Sequence, residues 1–148
     1  MLKELQKLPR ADSLEKFLQG ILATKSDRIL SIVLFGSMAK GNYTKYSDYD
    51  VLIAVSHEKL SFKERLYEYS FFSDGWVESF VYTKEEIEEM FKDFNPLLLD
   101  SLKDGIIMYD KGFWKDLKTK FELLLEKKII SVKKDGWAIA TSPINFKT

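Results

Sequence analysis

The chain has 148 residues, with 23 lysines and arginines balanced by 23 aspartates and glutamates, 45% apolar residues, one histidine and no cysteine. That length suits one domain with a real core, and the charge balance gives no general attraction for nucleic acid or an acidic membrane, so any bound polyanion must be held at a local site. Without cysteine there is no disulfide framework or thiolate metal site, and His57 alone excludes a multi-histidine zinc centre.

In chain order, the opening MLKELQKLPRADSLEKFLQG is charged throughout and carries no apolar run of the signal-peptide kind. No stretch approaches a membrane span, so a cytoplasmic address is expected. Asp12-Ser13-Leu14-Glu15 reads as a capping box opening a helix whose apolar face includes Leu14, Phe17, Leu18, Ile21 and Leu22. RILSIVLFG is a buried strand ended by Gly36; a short helix is expected from Ser37, then the polar loop GNYTKYS, then a second buried strand, YDVLIAV. SFKERLYEYSFF has helical apolar spacing, and Asp74-Gly75 turns the chain into a third strand, WVESFVYT. Thr83 to Glu86 is another capping box, starting the acidic helix KEEIEEMFKDF. Asn95-Pro96 supplies an N-cap and a first-turn proline for PLLLDSLKDG, closed by Gly105. IIMYD reads as a short strand, and FWKDLKTKFELLLEKK as a helix with Trp114, Leu117, Phe121, Leu124 and Leu125 on its core face. No element is assigned from Ser131 onward. Strands and helices alternate first and helices dominate later, which defines a mixed α/β or α+β domain with a small sheet covered by helices on at least one side.

The chemistry concentrates between Gly36 and Asp50. Asp48 and Asp50 are two apart on a strand, so their side chains share a face while Tyr49 points away. Two carboxylates so placed repel unless a cation lies between them, and an oxygen-only pair suits Mg2+ with water and substrate phosphates completing its shell. Gly36-Ser37 can hold such a phosphate: the glycine admits close backbone approach, helix-start N–H groups attract anions and the serine hydroxyl adds a donor. The dinucleotide pattern G-x-G-x-x-G is absent after this strand, and Asn42-Tyr43 follow Gly41 where a Walker A loop needs lysine and a hydroxyl residue. The bland alternatives are a plain strand-to-helix turn at Gly36-Ser37 and simple solvation of the strand start. Solvation explains Asp48 more easily than Asp50, which precedes VLIAV. Ser47 either shapes its loop through a serine turn or touches phosphate, with the loop role favoured. Lys40 and His57 read first as surface residues, and Glu85, Glu86, Glu88 and Glu89 as a solvated helix face.

The run GSMAKGNYTKYSDYD, within a match from about Ile32 to Val55, resembles the signature of the polymerase-beta-like nucleotidyltransferase superfamily. It is most similar to the minimal nucleotidyltransferases, the small antitoxin-type family. The resemblance implies the nucleotidyltransferase fold, a small mixed β-sheet packed with helices, as a single domain over 1–148, with the motif region at about 28–83 and a helical part at about 84–148. It implies a third carboxylate on a later strand, where Glu78 stands in place of the usual aspartate and Asp74 is the next candidate. Met38 occupies a position where many relatives carry arginine, leaving Lys40 to meet phosphate charge. The implied activity is transfer of AMP from ATP to a hydroxyl, with Asp48, Asp50 and Glu78 as the catalytic carboxylates holding two Mg2+ ions. Gly36, Ser37, Lys40 and Ser47 would lie on the nucleotide side. The implied acceptor is a partner protein, a HEPN-type RNase toxin modified on tyrosine, with this chain as its antitoxin. Two other outcomes stay open: a nucleotidyltransferase-fold module that neutralises a partner by contact, and an enzyme acting on a small molecule or RNA.

Overall fold

The computed structural model describes residues 1–140. Its strands are β1 (Ile29–Phe35), β2 (Tyr49–Val55), β3 (Val77–Thr83), β4 (Ile106–Asp110), β5 (Ile130–Lys133) and β6 (Gly136–Ile139). The helices are α1 (Lys3–Gln6), α2 (Ala11–Lys25), α3 (Ser37–Lys40), α4 (Phe62–Ser70), α5 (Lys84–Lys92), α6 (Pro96–Asp104) and α7 (Phe113–Glu126). Four strands form a mixed sheet in the order β3-β2-β1-β4, in which β1 is antiparallel to both neighbours and β2 runs parallel to β3.

The central strands are almost continuously apolar because both faces of the sheet are covered. On one face Ile32, Leu34, Val51 and Ile53 share a core with Leu14, Phe17, Leu18 and Ile21 of α2 and Tyr69 of α4. On the other, Val33, Leu52 and Ala54 share a core with Ile87 of α5, Leu98, Leu99 and Leu102 of α6, and Trp114, Leu117 and Phe121 of α7. The mixed α/β class and the expected helical faces therefore hold. No described helix is long and apolar enough to cross a membrane.

Several helix starts follow local sequence. Ser61 with Glu64 and Thr83 with Glu86 form reciprocal capping boxes, and the Asn95 side chain accepts from the N–H groups of Leu97 and Leu98 ahead of Pro96. The box expected at Asp12–Glu15 does not form. Helix α2 starts earlier, at Ala11, behind a left-handed Arg10 (φ 55°, ψ 35°) with no side-chain cap, and the Ser13 hydroxyl is drawn off to Asp74 at 2.7 Å. Glu85, Glu88 and Glu89 form the expected exposed face, and Glu86, half-exposed beside them, also accepts from Arg65 Nη1 at 2.6 Å and caps the Thr83 N–H. Gly105 closes α6 for reasons of space: its φ is an ordinary −68°, but a Cβ there would overlap the Ser101 carbonyl oxygen and stand 2.7 Å from Val33 Cγ1.

The C-terminal part is less helical than expected. β5 and β6 form a hairpin that turns just before Gly136, with Trp137 packed edge-on against Phe121 and donating to Asp100 Oδ1 at 2.7 Å. Residues 141–148 of the expected domain lie outside the described residues.

Candidate active site

The site is built where β1 ends. Phe35, its last residue, pairs with Asp50 across the antiparallel ladder, and Asp50 pairs with Glu78 across the parallel one. Paired residues project from the same face, so the second aspartate and the expected third carboxylate are direct neighbours. Gly36 then turns the chain into α3 with φ 77° and ψ −160°, and a Cβ on it would lie 2.5 Å from Asp50 Oδ2. Only glycine satisfies both that backbone and that approach. The turn and the carboxylate are thus in contact, across fourteen positions of sequence.

In α3 the N–H groups of Ala39 and Lys40 return to the Gly36 carbonyl at 3.1 Å each, while those of Ser37 and Met38 have no acceptor within the helix. The Met38 side chain is 2% exposed and belongs to the α2-side core, so that side chain contributes packing and no charge toward a phosphate. Lys40 is exposed and lines a hollow of about 430 Å3 with Lys103, Asp104 and the hairpin lysines Lys133 and Lys134.

Asp50 is half-buried, whereas Asp48 and Glu78 are exposed. The aromatic pair Phe35–Phe80, with ring centroids 5.3 Å apart, adds an apolar wall next to Asp50 on this face. Burial first, then the charges of Glu78 and Asp48, push the Asp50 carboxyl up to about 6; among the described residues no lysine, arginine or hydrogen-bond donor acts in the opposite sense. Among the described residues no three acidic or histidine side chains converge as a ready-made metal cage. What the chain offers is an oxygen-only, uncompensated carboxylate set beside a glycine cradle, and that donor chemistry fits a hard divalent cation such as Mg2+.

Beside it lies an open pocket of about 280 Å3 lined by Asp48, Glu78 and Gly75, with Leu66 and Ser70 of α4 as its far wall. Asp74, the carboxylate before β3, is engaged by α2. Its carboxylate accepts the Ser13 hydroxyl, which holds it below its ordinary range and ties α2 to the turn before β3. Ser47 sits in the loop with its hydroxyl accepting Thr44 N–H at 2.9 Å and its own N–H donating to the Thr44 carbonyl at 3.1 Å, the geometry of the loop-shaping role. His57 follows β2 at the end far from Asp50, its Nδ1 2.9 Å from Ser56 Oγ. Sequence reading overlooked Phe35, Phe80 and the α4 wall, whose relation to Asp50 is visible only once strand register is known. It also overlooked the Pro9–Arg10 corner, which fastens the loop before Asp48.

A helix-covered mixed sheet with a glycine turn pressed against paired carboxylates is the arrangement of a nucleotidyl-transferring enzyme. The chain belongs to the nucleotidyltransferase domain family, whose model matches residues 14–136, and it is a nucleotidyltransferase. A Methanocaldococcus jannaschii protein named "Putative protein adenylyltransferase" is 30% identical over 139 residues, which span 86% of this chain and 92% of that protein. Two solved structures share the fold. One is described as a "putative nucleotidyltransferase" from Sulfolobus solfataricus (20% identity, TM-score 0.51, covering 68% of this chain and 79% of that one). The other is a toxin–antitoxin with AMP-PNP (15% identity, TM-score 0.50, covering 77% and 92%).

Proposed function

We propose that this enzyme transfers AMP from ATP to a hydroxyl of a partner protein, releasing pyrophosphate, in the cytoplasm. The observation that carries the reading is Asp50. It lies opposite Glu78 and against Gly36, with its carboxyl raised by burial and like charges that nothing among the described residues offsets. Asp48, Asp50 and Glu78 would hold two Mg2+ ions. When bound, these ions supply charge neutralisation for the triphosphate and activation of the acceptor hydroxyl for in-line displacement.

The chain's own residues divide the remaining work. Gly36 leaves room for a phosphate oxygen at the backbone, the Ser37 and Met38 N–H groups and the Ser37 hydroxyl are its donors, and Lys40 assists from the end of α3. Asp50 must release its proton to bind a cation, so its raised carboxyl makes proton and cation compete for the site in mildly acidic solution. Asp48 and Glu78 line the open pocket, which supports an acceptor approaching between β3 and α4.

A protein acceptor is supported by the name of the Methanocaldococcus relative, and ATP by the AMP-PNP of the toxin–antitoxin neighbour. Together with the motif spacing, these favour an antitoxin that modifies a HEPN-type RNase toxin. The test is incubation with Mg2+, ATP and the product of the adjacent gene, followed by intact-mass spectrometry. The neighbour should gain one or more AMP units, and the Asp48→Asn/Asp50→Asn double variant should add none. If the neighbour is bound tightly but stays unmodified, and the double variant neutralises it equally well, the protein is a contact inhibitor instead.

A further inference from the structure

Asp50 and Glu78 are held by sheet register, but Asp48 is not. It precedes β2, is exposed, and follows a polar loop without regular structure. That loop is fastened from far away in sequence. Arg10 Nη2 donates to the Ser47 carbonyl at 2.7 Å, Arg10 Nη1 donates to the Lys45 carbonyl at 3.1 Å, and the guanidinium carbon lies 3.8 Å from the centre of the Trp76 ring.

The adjoining residue reinforces the hold. The Tyr49 hydroxyl donates to the Pro9 carbonyl at 2.6 Å, and Tyr49 N–H donates to the Trp76 carbonyl at 2.8 Å. Both chain neighbours of Asp48, Ser47 and Tyr49, are therefore bonded to the same Pro9–Arg10 corner. Trp76, two residues before Glu78, lies beneath the guanidinium. The left-handed conformation of Arg10 at the head of α2 makes this corner sharp. None of the ion pairs among the described residues involves Arg10, so it works through carbonyls and an aromatic face rather than by pairing with a carboxylate. A planar guanidinium can make two directed bonds while stacked on a ring; an ammonium cannot do all three.

We infer that Arg10 is a positioning residue for nucleotidyl transfer: it clamps the loop that carries Asp48, holds that carboxylate beside Asp50 and Glu78, and so sets the affinity of the site for a divalent cation. The inference rests on the carboxylate assignment made under Proposed function. Groups that orient a metal ligand typically contribute ~10–100-fold to affinity or activity. Arg10→Ala is expected to weaken cation binding roughly tenfold, and Arg10→Lys by less, since it can keep one carbonyl bond.

The probe is Mn2+, titrated into the full chain without nucleotide or acceptor and followed by the electron paramagnetic resonance of the free ion. Arg10→Ala, Arg10→Lys, Asp48→Asn and the Arg10→Ala/Asp48→Asn double variant are compared. Urea unfolding in chelator reports any general loss of stability. Because Arg10 acts through Asp48, the double variant should bind Mn2+ no more weakly than Asp48→Asn alone, a non-additivity that a merely structural residue does not produce. If Asp48→Asn weakens binding but Arg10→Ala does not, or if Arg10→Ala weakens it equally in both backgrounds, the clamp is overturned and the site stands. If Asp48→Asn leaves Mn2+ binding unchanged, the site assignment itself falls and the clamp with it. Should Arg10→Ala fail to fold, Arg10→Lys carries the same comparison.

Discussion

Replacing Asp50 by asparagine should make the metal-free protein more stable. Its carboxyl is raised from 3.8 to about 6 by burial, by Glu78 and by Asp48. At ~1.4 kcal/mol per pH unit a shift of roughly two units sets a ceiling of ~3 kcal/mol. Asp50 is only half-buried, and solvent screening brings the expected gain down to about 1–1.5 kcal/mol. The raised value means that the folded chain binds the proton more tightly than the unfolded one. At about pH 3 and below, both states are protonated and Asp50 carries no penalty; between about 4 and 6 the unfolded state ionises first and stability declines; above about 6 the whole penalty is present. Urea unfolding in chelator should therefore show Asp50→Asn nearly level with wild type in the most acidic buffer that keeps both folded, and ahead of it near neutrality. Excess Mg2+ should close or invert the difference, because the cation stabilises only the state that binds it. A variant that is less stable than wild type by a similar amount at both pH values would refute the reasoning, since it would show Asp50 making a favourable contact in the fold rather than standing uncompensated.

Three further substitutions test neighbouring parts of the site. Glu78→Gln should cut transfer by ~10²–10⁴-fold while leaving ATP binding nearly intact, as loss of a group on the acceptor side requires, and a turnover near wild type would leave Glu78 a surface strand residue. Gly36→Ala places a Cβ 2.5 Å from Asp50 Oδ2 at a φ of 77°, so it should cost ~1–3 kcal/mol of stability and weaken Mn2+ binding together; an alanine variant with unchanged melting and unchanged Mn2+ affinity would show that the close approach is unimportant. Met38→Arg should not restore a phosphate contact but should lower the melting temperature sharply, because that side chain is 2% exposed within the core. A gain in nucleotide affinity without loss of stability would contradict that burial.

Much of the architecture was legible because it is encoded locally. The capping box at Thr83, the Asn95-Pro96 start and the apolar runs of β1 and β2 are decided within a few residues, and all appear as expected; the Ser61–Glu64 box is equally local but went unread. The failures share the opposite property. The Asp12–Glu15 motif has the composition of a cap, but the left-handed Arg10 starts the helix at Ala11 and leaves Asp12 inside it, beyond the cap position. The terminal hairpin has short strands whose burial depends on α7, so periodicity alone was weak; Asp135-Gly136 ahead of Trp137 was the available turn signal.

The same division runs through the site. Two-residue spacing predicts Asp48 and Asp50 on one side of a strand, whereas β2 begins at Tyr49 and leaves Asp48 in the preceding loop. Family resemblance points to Glu78, but only parallel register says that it lies directly across from Asp50. Nor could spacing show that Gly36 faces a carboxylate, because that contact requires β1 and β2 to pair antiparallel with Phe35 opposite Asp50. Arg10 lies further still from any local signal, since its partners are loop carbonyls and a tryptophan ring rather than a spaced motif. Carbonyl-directed positioning leaves almost no mark on sequence, because any residue can supply the carbonyl. Candidate acidic residues can therefore be nominated from one chain, while the register that brings Asp50 and Glu78 together and the carbonyls that Arg10 grips emerge only from the fold.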